Sequence, residues 1–138
     1  MQKYTRHSIV SIDEVLTVIR NTAQNFKDKT RTEINGTPVG TTSLRLRTFA
    51  VHGTKCSACG LDASYFAIER CESRDKNIPF HLNLYGVRNG TEILFTHDHK
   101  LARSLGGKDH LSNTQTMCTI CNSIKSIEET KLTMTKKK

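Results

Sequence analysis

Two CxxC pairs, Cys56-Ser-Ala-Cys59 and Cys118-Thr-Ile-Cys121, set the strongest condition on this fold. Such spacing lets both sulfurs of a pair turn onto one ion, and two pairs complete the tetrahedron that zinc prefers. Gly60 supplies the tight turn that a cysteine knuckle needs. All four ligands would come from the chain, so the zinc expected here is structural and closed to substrate. A redox role is the alternative for a CxxC, disfavoured by the presence of two pairs. The fifth cysteine, Cys71, lies far from both pairs and reads as an inert thiol.

A metal would matter because the core is lean. Only 36% of the 138 residues are hydrophobic, 6% are aromatic and none is Trp. Zinc binding is coupled to folding and can make up such a deficit. The formal charge of +8 and a pI near 9.4 suit a partner made of phosphates. No apolar run is long enough to span a bilayer, and residues 1–20 lack the apolar centre of a signal peptide. Paired CxxC motifs belong to a reducing compartment. The setting this implies is cytoplasmic, for a protein of a cell or of a virus replicating in one.

Along the chain, residues 11–26 predict a helix. Ser11 and Glu14 form a capping box, and Ile12, Val15, Leu16, Ile19, Ala23 and Phe26 recur on one face. Residues 27–42 are polar and read as a long loop, although Asn35-Gly36 could equally turn a short hairpin. Residues 43–52 predict a second helix ending before Gly53, with Arg45 and Arg47 on a solvated face or turned to nucleic acid. Strand composition follows at 65–69, 81–85 and 92–96, the last two joined through Asn89-Gly90. The final helix is predicted over 118–131, with Ile120, Ile124 and Ile127 on one face. Lys125 and Glu129 would form an ordinary surface pair there, worth a few tenths of a kcal/mol. The lysine-rich residues 133–138 read as a disordered basic tail.

Between the last strand and the last helix stand Asp98-His99, Gly106-Gly107, Asn113 and Asn122. In this arrangement the chain resembles the HNH endonucleases, over roughly 56–125, and within them the zinc-stapled branch that includes phage junction-resolving enzymes. The resemblance implies an α+β fold with a ββα-metal core and a structural four-cysteine zinc site. The organisation that follows is an added N-terminal helical region over 1–52, a zinc-stapled HNH core over 53–132 and the tail over 133–138.

Phosphodiester hydrolysis needs an activated water and a cation on the phosphoryl oxygens. The resemblance assigns the general base to His99, a catalytic Mg²⁺ or Mn²⁺ to the oxygens of Asp98 and Asn122, and loop support to Asn113. It implies DNA as substrate, with RNA left open, and products with a 5′-phosphate and a 3′-hydroxyl. Weak sequence preference is expected because the sequence shows no recognition helix or other base-reading module. Lys100, Arg103 and Lys108 would contact the phosphates around the cut. Two positions depart from the family pattern. Ala102 stands where a proline is common, and Asn122 stands in place of histidine, which favours hard cations. His97 is open between binding metal or phosphate and packing at the strand's end, and His81 and His110 read as ordinary. The alternative is a non-catalytic zinc-containing module that binds nucleic acid. Nicking is compatible with a monomer, whereas cutting both strands calls for a homodimer.

Overall fold

The architecture rests on one antiparallel sheet that carries helices and a small hairpin. The computed structural model describes residues 3–22 and 31–136, with side chains through residue 132. The elements run β1 (Tyr4–Val10), α1 (Ile12–Thr22), β2 (Arg31–Ile34), β3 (Thr37–Gly40), α2 (Leu44–His52), β4 (Ala63–Cys71), β5 (His81–Arg88), β6 (Thr91–His99), β7 (Thr114–Cys118) and α3 (Thr119–Lys136). Five strands form the main sheet in the order β1-β4-β5-β6-β7, and β2 pairs only with β3. The fold is α+β. Among the described residues no helix is long and apolar enough to cross a membrane.

Sequence and structure agree on both early helices. Ser11 caps α1 by accepting from the Glu14 amide, and Ser43 caps α2 by accepting from the Leu46 amide. Gly53, at φ 93°, ends α2. Ala23 and Phe26 of the predicted apolar stripe lie outside the described residues. Asn35 and Asn89 adopt positive φ, each followed by a positive-φ glycine. Both are therefore primed two-residue turns, between Ile34 and Thr37 and between Arg88 and Thr91. Residues 31–40 are thus a hairpin, which settles the choice the sequence left open.

The core lies on one face of the sheet. Phe66 and Ile68 of β4 and Leu82 and Leu84 of β5 alternate onto that face and are fully buried. They join Val15 and Ile19 of α1 and Leu46 and Phe49 of α2 in one apolar cluster. The opposite face is polar but connected. Glu69, only 2% exposed, accepts from Arg6 at 2.7 Å, Asn83 at 2.8 Å and Tyr85 at 2.6 Å. Burial and the bond to Glu69 push the Tyr85 phenol well above its ordinary range. Arg6 also pairs with Glu92 on β6, which fastens the edge strand β1 across the sheet.

Several expectations are corrected. The N-terminal region is not only helical, because β1 supplies an edge strand to the main sheet. Arg45 turns inward to β5 rather than lying on a solvated face. It donates to Asn83 Oδ1 at 3.3 Å and to the Leu82 carbonyl at 2.7 Å. The Ile120, Ile124 and Ile127 face of α3 is real but points outward, each residue being more than half exposed. The helix also continues to Lys136, through most of the stretch read as a tail. Replacing fully buried Phe66 by alanine should cost about 3–5 kcal/mol, read as a lower midpoint in urea denaturation.

Candidate active site and metal centre

The four thiols converge. Cys56 and Cys59 sit in the turn before β4, Cys118 ends β7, and Cys121 lies in the first turn of α3. Their sulfurs all fall within 4.8 Å of one another, with Cys59 and Cys118 at 4.0 Å. A tetrahedral zinc with bonds of about 2.3 Å separates its sulfurs by about 3.8 Å, so the cluster suits that ion. Backbone amides aim at the sulfurs as in a cysteine knuckle. Cys59 N and Cys118 N donate to Cys56 Sγ at 3.5 and 3.4 Å, and Cys121 N donates to Cys118 Sγ at 3.5 Å.

The thiols are held unequally. The Leu61 amide and the Arg88 guanidinium, whose Nη2 lies 3.5 Å from the sulfur, hold the Cys59 thiol down at about 6. Burial and the neighbouring Cys118 push the Cys121 thiol up to about 12. The second effect is chiefly a thiol–thiol hydrogen bond, which metal binding would replace as the sulfurs lose their protons. Cys71 stays outside the cluster, opposite Tyr4 at the far end of β4.

The zinc cluster and the histidine pair occupy opposite ends of one short ladder. Phe95 pairs with Cys118, and four residues on His99 pairs with Thr114. β7 was not foreseen, yet it is the strand that runs from the candidate site back to the cysteines. Where β6 ends, a cleft of about 610 Å³ wraps the strand's tip. Asp98, His99 and Asn122 all line it, together with His97, Arg103, Ser126 and Glu129.

Each side chain is held by its own contacts. His99 Nε2 lies 2.7 Å from Asp109 Oδ1. A carboxylate only accepts, so this nitrogen is the one that donates, and Nδ1 is the ring nitrogen that Asp109 leaves free. Asp98 is 6% exposed. Its Oδ2 accepts from Gln115 Nε2 at 2.9 Å and from Lys125 Nζ at 2.7 Å, while no described donor bonds Oδ1. Lys125 Nζ also reaches the carbonyls of His99 at 2.6 Å and Lys100 at 3.4 Å, and Glu129 Oε1 at 3.5 Å. His97 stacks at a tilt on His99 with ring centroids 5.4 Å apart. Burial, and then His99, pushes the His97 imidazole down, and its buried Nδ1 has no partner among the described residues.

The loop between β6 and β7 is folded tightly around Asn113. Its Oδ1 accepts from the Leu101 amide at 2.9 Å, and its Nδ2 donates to the carbonyls of Leu101 at 3.1 Å and Lys108 at 2.9 Å. The paired glycines have separate reasons. Gly106 takes φ 95°, and a Cβ on Gly107 would stand 1.7 Å from the Leu101 carbonyl oxygen. Of the three basic residues expected near phosphate, Arg103 lines the cleft, and Lys100 and Lys108 are exposed on the loop. Ala102, in place of a proline, leaves the loop's backbone bonds closed, since Gly107 N donates to its carbonyl at 2.9 Å.

Residues 86–128 match the HNH endonuclease family. The match takes in β6, the Asn113 loop, β7, the second cysteine pair and most of α3, and leaves Cys56 and Cys59 outside. No curated protein and no solved structure matches the chain. The HNH stretch points to a protein that acts on nucleic acid. Its donor set also fits a hard divalent cation, because Asp98 and Asn122 offer oxygen to the cleft.

Asp109 and Gln115 escaped the sequence reading, and Lys125 was read only as the partner of Glu129, a contact present at 3.5 Å, and not as the partner of Asp98. Only Lys125 left a usable signal, one helical turn after Asn122 and so on the same side of α3.

Two outcomes follow. Stripping the thiolate cluster with a strong chelator should lower Tm by at least about 10 °C, as loss of a folding-coupled metal requires. Gly107→Ala should disrupt the loop at a cost of about 2 kcal/mol or more, seen as a lower Tm while the zinc content is unchanged.

Proposed function

We propose that this protein is an endonuclease that hydrolyses DNA phosphodiester bonds with one Mg²⁺ or Mn²⁺, on a core stapled by structural zinc. The observation that carries this reading is the shared cleft, in which a carboxylate, an imidazole and a carboxamide meet at the tip of β6. The residues 53–132 would do the chemistry and 1–52 would support them. Asp98 Oδ1 and the Asn122 side-chain oxygen would hold the catalytic ion. When bound, that ion supplies charge stabilisation for the phosphoryl and leaving oxygens.

The chain's own groups do the rest. Asp109 fixes His99 with Nε2–H donating, which leaves Nδ1 to take a proton from an attacking water. As that proton arrives, the Asp109 carboxylate stabilises the imidazolium. Arg103 is paired with Asp109 at 3.6 Å and lines the same cleft, so it can meet a phosphate oxygen. Lys100 and Lys108 add positive charge on the loop, where sequence-independent backbone contacts are made. Asn113 keeps that loop closed behind His99. Weak sequence preference agrees with this layout, in which every proposed contact goes to phosphate.

The direct test is incubation of the zinc-loaded protein with supercoiled plasmid and Mg²⁺ or Mn²⁺. Nicked or linear products are expected, and His99→Ala should slow their formation by about 10²–10⁴-fold. Asp109→Asn should slow it by about tenfold or more while binding DNA as well as the parent. Plasmid left intact by the parent, or cut equally well by His99→Ala, would rule the nuclease out.

A further inference from the structure

The ammonium of Lys125 is surrounded by four oxygens: Asp98 Oδ2 at 2.7 Å, the carbonyls of His99 at 2.6 Å and Lys100 at 3.4 Å, and Glu129 Oε1 at 3.5 Å. This is how a resident cation is held. An ammonium has three N–H donors and no acceptor, so these contacts saturate it. Asp98, with a side chain 7% exposed, is a carboxylate that burial would penalise unless its charge were met. Lys125 meets that charge from within the chain.

We propose that Lys125 acts as the built-in counter-cation of the metal site, so that the divalent ion is held firmly only when a DNA phosphate enters with it. The inference rests on the assignment of that ion to Asp98 and Asn122. Asn122 is neutral, so Asp98 is the single anionic protein ligand of that pair, and Lys125 meets its charge at 2.7 Å, with Glu129 a second carboxylate on the ammonium at 3.5 Å. A dication at Asp98 therefore meets an adjacent positive charge in the free protein. A phosphate brings both negative charge and oxygen ligands, the usual complement of magnesium sites with few carboxylates. Helix geometry ties the parts together, because Lys125 lies one turn beyond Asn122 and pins the tip of β6 to α3. A lysine that merely oriented Asp98 would have the opposite consequence on removal, since a loosened carboxylate binds metal less well.

The sign of the effect decides between them. Mn²⁺ binding is measured by titration calorimetry on the full zinc-loaded chain in the His99→Ala background, with and without a short DNA duplex. Parent affinity should be at least tenfold higher with the duplex. Lys125→Gln and Lys125→Met should bind Mn²⁺ without DNA at least tenfold more tightly than the parent, about 1.4 kcal/mol, and gain little from the duplex. Lys125→Arg, which keeps the charge, should behave like the parent. Equal or weaker binding by Lys125→Gln, or tightening by Lys125→Arg, overturns the inference. Asp98→Asn separates the two levels. If it loses Mn²⁺ while Lys125→Gln gains nothing, only the role of Lys125 falls. If it binds Mn²⁺ like the parent, the ion is not at Asp98, and the nuclease site falls with it.

Discussion

Convergence of four cysteine sulfurs is the condition on which the rest of the structure depends. Cys56 and Cys59 belong to a turn near the middle of the chain, and Cys118 and Cys121 to the junction of β7 and α3. The long connection between them holds β4, β5, β6 and the Asn113 loop, so closing it at one ion removes much of the freedom of the unfolded chain. The closure is supported without metal contacts as well. Ser57 N donates to the Thr116 carbonyl at 2.9 Å, and Thr116 Oγ1 donates to the Gly53 carbonyl at 2.6 Å. With the start of α3 fixed, Asn122 has no choice of position, because it follows Cys121 directly.

From that fixed point, charge is laid out along one side of α3. Asn122, Lys125, Ser126 and Glu129 recur at helical spacing, and all but Lys125 line the cleft. Lys125 turns inward to the strand and Glu129 contacts it, so acid and base alternate along the helix instead of forming a single-signed wall. On the strand side, Asp109 performs for His99 what Lys125 performs for Asp98. Each of these two side chains has a charged partner already in contact, which sets its orientation.

Much of this was visible in the residues, and what was hidden had a physical cause. Ser11, Ser43 and Gly53 marked the ends of α1 and α2 because caps are local chemistry. Asn89-Gly90 marked its hairpin for the same reason. β1 stayed hidden because it is an edge strand whose Arg6 and Tyr4 are satisfied by partners far away in sequence. β7 stayed hidden because Thr114, Gln115 and Thr116 look like loop until His97, Asp98 and His99 pair with them. Arg45 reads as a surface residue from its neighbours, and only tertiary packing reveals its bonds to β5. Lys125 was accounted for by Glu129 four residues on, a sufficient local explanation that concealed a stronger one 27 residues away. Asp98, His99 and Asn122 stood out because their spacing is carried by one continuous stretch, and all three line one cleft. The residues that hold them in place did not stand out.

The ladder between β6 and β7 carries a further consequence. Along β6, His97 and His99 project to one side and Asp98 to the other, and the five rungs from Phe95 to His99 fix which side is which. Removing or inserting one residue within those rungs would leave composition, charge and cysteines intact. It would also exchange the positions of imidazole and carboxylate, placing a histidine against Lys125 and an aspartate against Asp109. Which of these side chains meets which partner is thus written in the parity of a strand, and a slip of a single residue would undo it.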